Sequence, residues 1–210
     1  DRLTIIPNGV DTTAFRPVPV EREPMILYVG SLIERKGLDS LLPAFAAVHG
    51  RVPTARLLII GEGPEADALG AMAEDLGIAD QVTWLPFLPQ ADVRAWMQRA
   101  RVLVLPSTEE GQGVVLLEAM ACGTPVVGSR VGGIQDVITP DVGALVPPAS
   151  PVELAEALVD LLDDAERWGS ASQAARQRAV TSYDWDGLAK QFVALYQKIA
   201  DRGDVSAKSD

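Results

Sequence analysis

The chain reads as an α/β domain built on a doubly wound parallel sheet, with further helices at its C-terminal end. Three observations lead there. Short β-rich apolar runs alternate with stretches whose apolar residues recur every three or four positions. The runs are apolar nearly throughout, as strands covered on both faces are. The connections between them are rich in glycine, with no internal repeat or low-complexity linker.

In order, strands are expected at 3–6 (LTII), 25–30 (MILYVG), 57–61 (LLIIG), 82–85 (VTWL), 102–106 (VLVLP), 124–129 (TPVVGS) and 144–147 (ALVP). Between them, helices are expected over 38–49, 65–76, 91–100 and 114–122. In the first, Leu41, Leu42, Phe45, Ala46 and Val48 form one apolar face. Gly123-Thr124-Pro125 stops the fourth. Three more helices follow, over 151–163, about 165–182 and 185–200. Residues 1–202 are expected as one domain, and 203–210 (GDVSAKSD) as a disordered tail. The opening DRLTIIPNGVD reads as strand then turn, like the interior of a longer protein.

With 210 residues, 48% of them hydrophobic, the chain can bury one sizeable core. A formal net charge of −11 argues against nucleic acid or an anionic membrane as partner, because both need clustered Lys and Arg. A phosphate would have to meet a local positive site. The single cysteine, Cys122, excludes an intramolecular disulfide and a cysteine metal cluster, and reads as a small buried residue. No apolar run approaches the roughly 18–20 residues of a membrane span, and no signal peptide opens the chain. The expected location is cytoplasmic.

In a doubly wound sheet, ligands bind beyond the carboxyl ends of the strands. The turns at 30–37, 61–66, 86–92, 106–113 and 129–136 are therefore where chemistry is expected. The stretch 109–129 (EEGQGVVLLEAMACGTPVVGS) concentrates it. A helix that starts just after Gly111-Gln112-Gly113 offers unpaired N–H groups and a positive dipole end to an anion. Glu110 and Glu118 stand around that start, separated by seven residues. A carboxylate repels a diphosphate, so neither should touch one. Glu118, one turn into the helix, can instead accept both hydroxyls of a ribose, and Glu110 the hydroxyls of a sugar beyond the phosphates. Lys36 follows Arg35 at a helix entry, where the dipole disfavours a cation. A phosphate held between Lys36 and the helix start at 111–113 gives that placement a purpose.

Other readings fall away. GEGPEA at 61–66 matches the dinucleotide fingerprint poorly, because it does not follow the first strand and no acidic residue ends VTWL. No P-loop sequence exists. His49, the only histidine, sits at a helix end and cannot anchor a Ser-His-Asp triad. No carboxylates are spaced as metal ligands, so no metal is expected. Trp185, Phe192 and Tyr196 read as a helix face packing on a domain.

EGQGVVLLEAMACGTPVV resembles the Glu-x7-Glu signature of retaining GT-B glycosyltransferases, in the large family that includes sucrose synthases and bacterial mannosyltransferases. IPNGVDTTAF, YVGSLIERKG, LLIIGEGP and VGGIQDVI are similar to that family's other blocks, in the same order, over about residues 3 to 200. The resemblance implies a Rossmann-like domain, the C-terminal, donor-binding half of a GT-B fold, whose acceptor-binding N-terminal domain is absent from this chain. It implies a nucleotide-diphosphate sugar as substrate, with UDP or GDP as leaving group, and neither cofactor nor metal. Glu110 and Lys36 would be the catalytic pair. Glu118 would hold the ribose. Gly111, Gln112, Gly113 and Val114 would face sugar and diphosphate, and Phe87 and Leu88 the base. Gly30, Ser31, Arg35, Gly61 and Gly133 would line the cleft. Alone, the chain would bind donor weakly and transfer little; any membrane association would belong to the absent domain. The last helix would return to that domain, so its apolar side would be exposed here and promote self-association. The alternative is a non-catalytic module of the same fold that pairs with another chain.

Three positions depart from the family's pattern. Ser31 stands where many members have Arg, Gln112 where Phe is usual between the glycines, and Asp136 where Glu is common.

Overall fold

The apolar runs assemble into one six-stranded sheet in which every neighbouring pair is parallel. A computed structural model describes residues 4–206. The strands are β1 (Glu23–Val29), β2 (Arg56–Ile60), β3 (Val82–Leu85), β4 (Ala100–Leu105), β5 (Val126–Ser129) and β6 (Gly143–Val146), in the order β3-β2-β1-β4-β5-β6. That is the doubly wound Rossmann-like order. Leu27 of β1 pairs with Leu58 of β2 on one side and Leu103 of β4 on the other, and all three are buried.

The helices are α1 (Leu38–Arg51), α2 (Ala66–Asp75), α3 (Gln90–Arg99), α4 (Val114–Ala121), the short α5 (Ile134–Val137), α6 (Pro151–Asp163), α7 (Ala165–Ser182) and α8 (Trp185–Ser206). Crossover connections between parallel strands, right-handed as a rule, divide them between the faces. Thus α1 packs with α2 and α6, while α4 packs with α3 and α7. Leu38, Leu41, Leu42, Phe45 and Val48 bury the inner side of α1, as their spacing predicts. α4, VVLLEAMA, is apolar on nearly every side and largely buried; its one polar residue is Glu118.

Four expectations are corrected. The run at 3–6 is not a strand: Thr4–Ile6 joins no sheet, Ile5 is 82% exposed, and Leu3 lies outside the described residues. β-branched residues favour a strand only where a partner edge is available. Here the chain instead docks further on, through Val10, which pairs with Asp184. The turn at 129–136 contains the unexpected α5. The last helix also runs past the expected boundary to Ser206, while 207–210 of the expected tail lie outside the described residues. Of the expected packing face on α8, Trp185 and Tyr196 are exposed while Phe192 is half-buried, so only part of it meets the domain.

Arginines stitch the periphery to the sheet. Arg22 donates to the carbonyls of Met97, Ala100 and Cys122 and to Thr124 Oγ1. Arg176 does the same for Thr12, Phe15 and Ala121 carbonyls, which fastens the segment before β1 to α7. A guanidinium suits this because its five donors fan out in one plane.

Candidate functional site

Strand order decides where the turns meet. β1 lies beside both β2 and β4, so the chain reverses direction across the sheet at the β1/β4 boundary. The turns leaving these two strands flank the crevice that forms there.

From β1 comes a single 3-10 turn, Glu34–Lys36, closed by Gly37 in the left-handed region (φ 71°). A Cβ on Gly37 would lie 2.1 Å from the Pro106 carbonyl oxygen, so only glycine lets this turn sit against the end of β4. Thr108 N then donates to the Arg35 carbonyl at 2.9 Å, and Arg35 Nη1 reaches the Glu109 carbonyl at 3.4 Å. The two turns are thereby locked together, and Lys36 Nζ lies 2.5 Å from Glu110 Oε2. Both side chains are only 15% exposed. The other Glu110 oxygen accepts from Gly111 N at 3.0 Å.

α4 begins at Gly113 (φ 72°) with no side-chain cap, so its first amides meet no side-chain acceptor. Gly133 N donates to the Gly111 carbonyl at 2.8 Å, and the Gly132-Gly133 backbone packs so closely on Glu110 and Gly111 that side chains there would collide. Glu118 sits in the second turn of α4. Burial among apolar neighbours raises its pKa, and the hydrogen bond from Gln90 Nε2 to Oε1, at 3.0 Å, works against that rise.

Beside this lies a cleft of about 390 Å³ lined by Val29, Gly30, Ser31, Gly61, Phe87 and Leu88 among others. Phe87 is 78% exposed. A Cβ on Gly61 would fall 1.9 Å from the Gly30 carbonyl oxygen, which is why the β1 and β2 turns can close to form its floor. A wider groove of about 510 Å³ at the outer edge, between α2 and Trp84, has Asp67 and Glu74 as its charged residues and so disfavours a phosphate.

The expected positions other than Glu118, which lies in the second turn of α4, fall in turns that follow β1 to β5, in two groups. Gly30, Ser31, Gly61, Phe87 and Leu88 share the cleft. Lys36, Arg35, Glu110, Gly111, Gln112, Gly113, Val114 and Gly133 surround the α4 start. Two partners were not anticipated. Gln90, the first residue of α3, bonds Glu118. Gln112 is held by Asn8, whose N–H donates to Oε1 at 2.8 Å and whose carbonyl accepts from Nε2 at 3.4 Å, so in this structure its amide is engaged with backbone. Both link residues far apart in sequence, and nothing local signals either. Among the described residues, no group of three or more His, Cys, Asp and Glu is gathered as a metal site.

The arrangement brings a lysine and uncapped helix amides, donors that suit an anion, beside two carboxylates. Comparison with known proteins bears on this geometry. The family model for glycosyl transferases group 1 matches residues 10–178. The chain belongs to this family. A GDP-mannose-dependent alpha-(1-6)-phosphatidylinositol monomannoside mannosyltransferase of Mycobacterium tuberculosis is 33% identical, over 98% of this chain and 57% of its own length. A D-inositol 3-phosphate glycosyltransferase of Frankia alni is 34% identical, over 94% of this chain and 53% of its own. Among solved structures, sucrose-phosphate synthase from Thermosynechococcus elongatus superposes with a TM-score of 0.84 at 31% identity, covering 94% of this chain and 52% of that one. This group 1 chain thus spans about half the length of the curated relatives it matches. No helix among its described residues is long and apolar enough to cross a membrane.

Proposed function

We propose that this group 1 chain is the donor-binding half of a retaining glycosyltransferase that uses a nucleotide-diphosphate sugar without a metal. The observation that carries the reading is Lys36 held beside the uncapped start of α4, with Glu110 and Glu118 on either side of that start. In transfer, the bond from the anomeric carbon to the diphosphate oxygen breaks, and the acceptor oxygen bonds to the same face of the sugar as its hydroxyl proton passes to the departing diphosphate oxygen. Negative charge grows on the leaving diphosphate. Lys36 and the amides of 111–114 meet it as preorganised donors, each such donor being worth about 100- to 1,000-fold in rate where one has been removed. Glu110 takes hydroxyls of the transferred sugar, Glu118 those of the ribose, and the apolar cleft at Phe87 and Leu88 takes the base.

Ser31 leaves the second phosphate contact to Arg35 or to backbone. The acceptor and the second wall of the site belong to an N-terminal part, consistent with relatives about twice as long. The names of these relatives put GDP-mannose first among donors to try and an inositol-containing acceptor first among acceptors. Such chemistry belongs in the cytoplasm, where nucleotide sugars are made.

Calorimetric titration with GDP, UDP, ADP and their sugars is the test. Binding of one series, abolished in Lys36→Ala and Glu118→Ala, is expected; a folded protein that binds none of them overturns the reading. The exposed apolar face of α8 favours a second reading, a non-catalytic module that pairs with another chain. Stable pairing with a separately expressed N-terminal part, without nucleotide binding, would establish that instead.

A further inference from the structure

Glu118 is the only polar residue of α4, and its two carboxylate oxygens differ in circumstance. Oε1 is taken by Gln90 Nε2 at 3.0 Å. Oε2 receives no hydrogen bond among the described residues and is not sealed from solvent. Gln90 is itself exposed, and a glutamine on a surface has little reason to be held in one rotamer unless its partner fixes it. Its backbone is well placed to be such a support. It is the first residue of α3, directly after the four-residue turn Pro86-Phe87-Leu88-Pro89. A proline at each end fixes φ there, so the turn enters α3 stiffly. Leu88 and Val93, on either side of Gln90, both line the cleft. Its bond to Glu118 reinforces the packing of α3 on α4.

We propose that Gln90 is a positioning residue for nucleotide recognition: it fixes the Glu118 carboxylate so that Oε2 stands as the acceptor for a vicinal diol, and it couples that acceptor to the cleft wall formed by Phe87 and Leu88. A neutral amide suits the task. It orients the carboxylate and leaves its charge intact for the diol, whereas an arginine would neutralise it and a glutamate would repel it. The base-facing turn and the ribose-facing carboxylate then act as one unit, so that a ligand seated against the turn finds the diol acceptor already aimed. This inference rests on the reading of the cleft as a nucleotide site.

The experiment compares GDP, UDP and ADP with their 2′,3′-dideoxy analogues by calorimetry, on the wild-type chain and on Gln90→Ala, Gln90→Glu and Gln90→Lys. Gln90 is exposed, so all four should melt together, which keeps folding out of the comparison. The wild-type chain should favour the diol of whichever nucleotide it binds. In Gln90→Ala that preference should fall by about what one neutral hydrogen bond supplies, 2- to 12-fold, with affinity for the dideoxy analogue unchanged. Gln90→Glu should abolish the preference, and Gln90→Lys, which supplies a donor but neutralises the carboxylate, should lower it as well. A wild-type diol preference that survives intact in Gln90→Ala and Gln90→Glu overturns the proposal and leaves the nucleotide site standing. Failure of the wild-type chain to bind any of the nucleotides overturns both.

Discussion

The Lys36–Glu110 pair makes a prediction of opposite signs for its two ends. Without ligand, Lys36 is already matched by a carboxylate 2.5 Å away. A diphosphate that claims Lys36 must compete with Glu110 and then sit near its charge. Glu110→Gln keeps the shape and deletes that charge. At a separation of about 6 Å, a unit charge repels another by about 0.7 kcal/mol in the dielectric of water and about 2.8 at an effective dielectric constant of 20. Glu110→Gln should therefore bind a nucleoside diphosphate about 3- to 100-fold more tightly, nearer the lower figure at a site open to solvent. Lys36→Met should weaken the same ligand by about 10- to 150-fold, the worth of a hydrogen bond to a charged group. Calorimetric titration at 25 and 250 mM salt measures both, and the Glu110→Gln gain should shrink at the higher salt as the repulsion is screened. If Glu110→Gln weakens nucleoside diphosphate as much as Lys36→Met does, the two residues act as one binding unit and the competition argued here is wrong.

Three further outcomes can be checked. Burial raises the Glu118 pKa, so the charged form is disfavoured in the fold; the resulting loss of stability is present above that raised pKa and disappears as pH falls through it. Glu118→Gln should thus melt at or above the wild-type temperature at pH 8, the difference closing on acidification, while nucleotide affinity drops about tenfold or more. Arg22→Met should strip donors from three carbonyls and Thr124 and cost about 2–4 kcal/mol, read as a lower urea midpoint at unchanged m. Gly111→Ala meets open space and should leave the melting temperature unchanged while weakening nucleotide-sugar binding, whereas Gly132→Ala (φ 44°, with a Cβ 1.9 Å from the Glu110 carbonyl oxygen) should destabilise the fold by more than about 2 kcal/mol.

Local pattern was enough for the six strands and for most helices, because the strands are apolar nearly throughout and most helices show their own period. It failed at 3–6, where β-branched residues look like a strand but no edge receives them. The glycines at 37, 61 and 113 were legible as turn residues, and the structure adds the backbone or side chain each must avoid. Lys36 and Glu110 were legible as separate ligand candidates. That they form an ion pair across 74 residues depends on β1 lying next to β4, which no local pattern states. Gln112 looked free to reach a sugar, yet its amide is occupied by Asn8, 104 residues earlier. The Gln90–Glu118 bond is of the same kind: two ordinary side chains made partners by tertiary packing.

The segment before β1 also has a kinetic meaning. Val10 N donates to the Tyr183 carbonyl at 2.8 Å, Trp185 N returns to the Val10 carbonyl at 3.2 Å, Thr12 bonds Asp184, and a Cβ on Gly9 would touch Leu188 and Trp185. These contacts join the two ends of the described chain, so they close the longest loop in the fold and should form late and open early. Because Asn8 holds Gln112, undocking of this arm frees the turn at 111–113 without disturbing a strand. Any ligand that needs that turn ordered must then slow hydrogen exchange in the arm by the same free energy with which a docked arm favours the ligand. A short peptide strap and the turn at 111–113 that it holds are thus two readouts of one equilibrium.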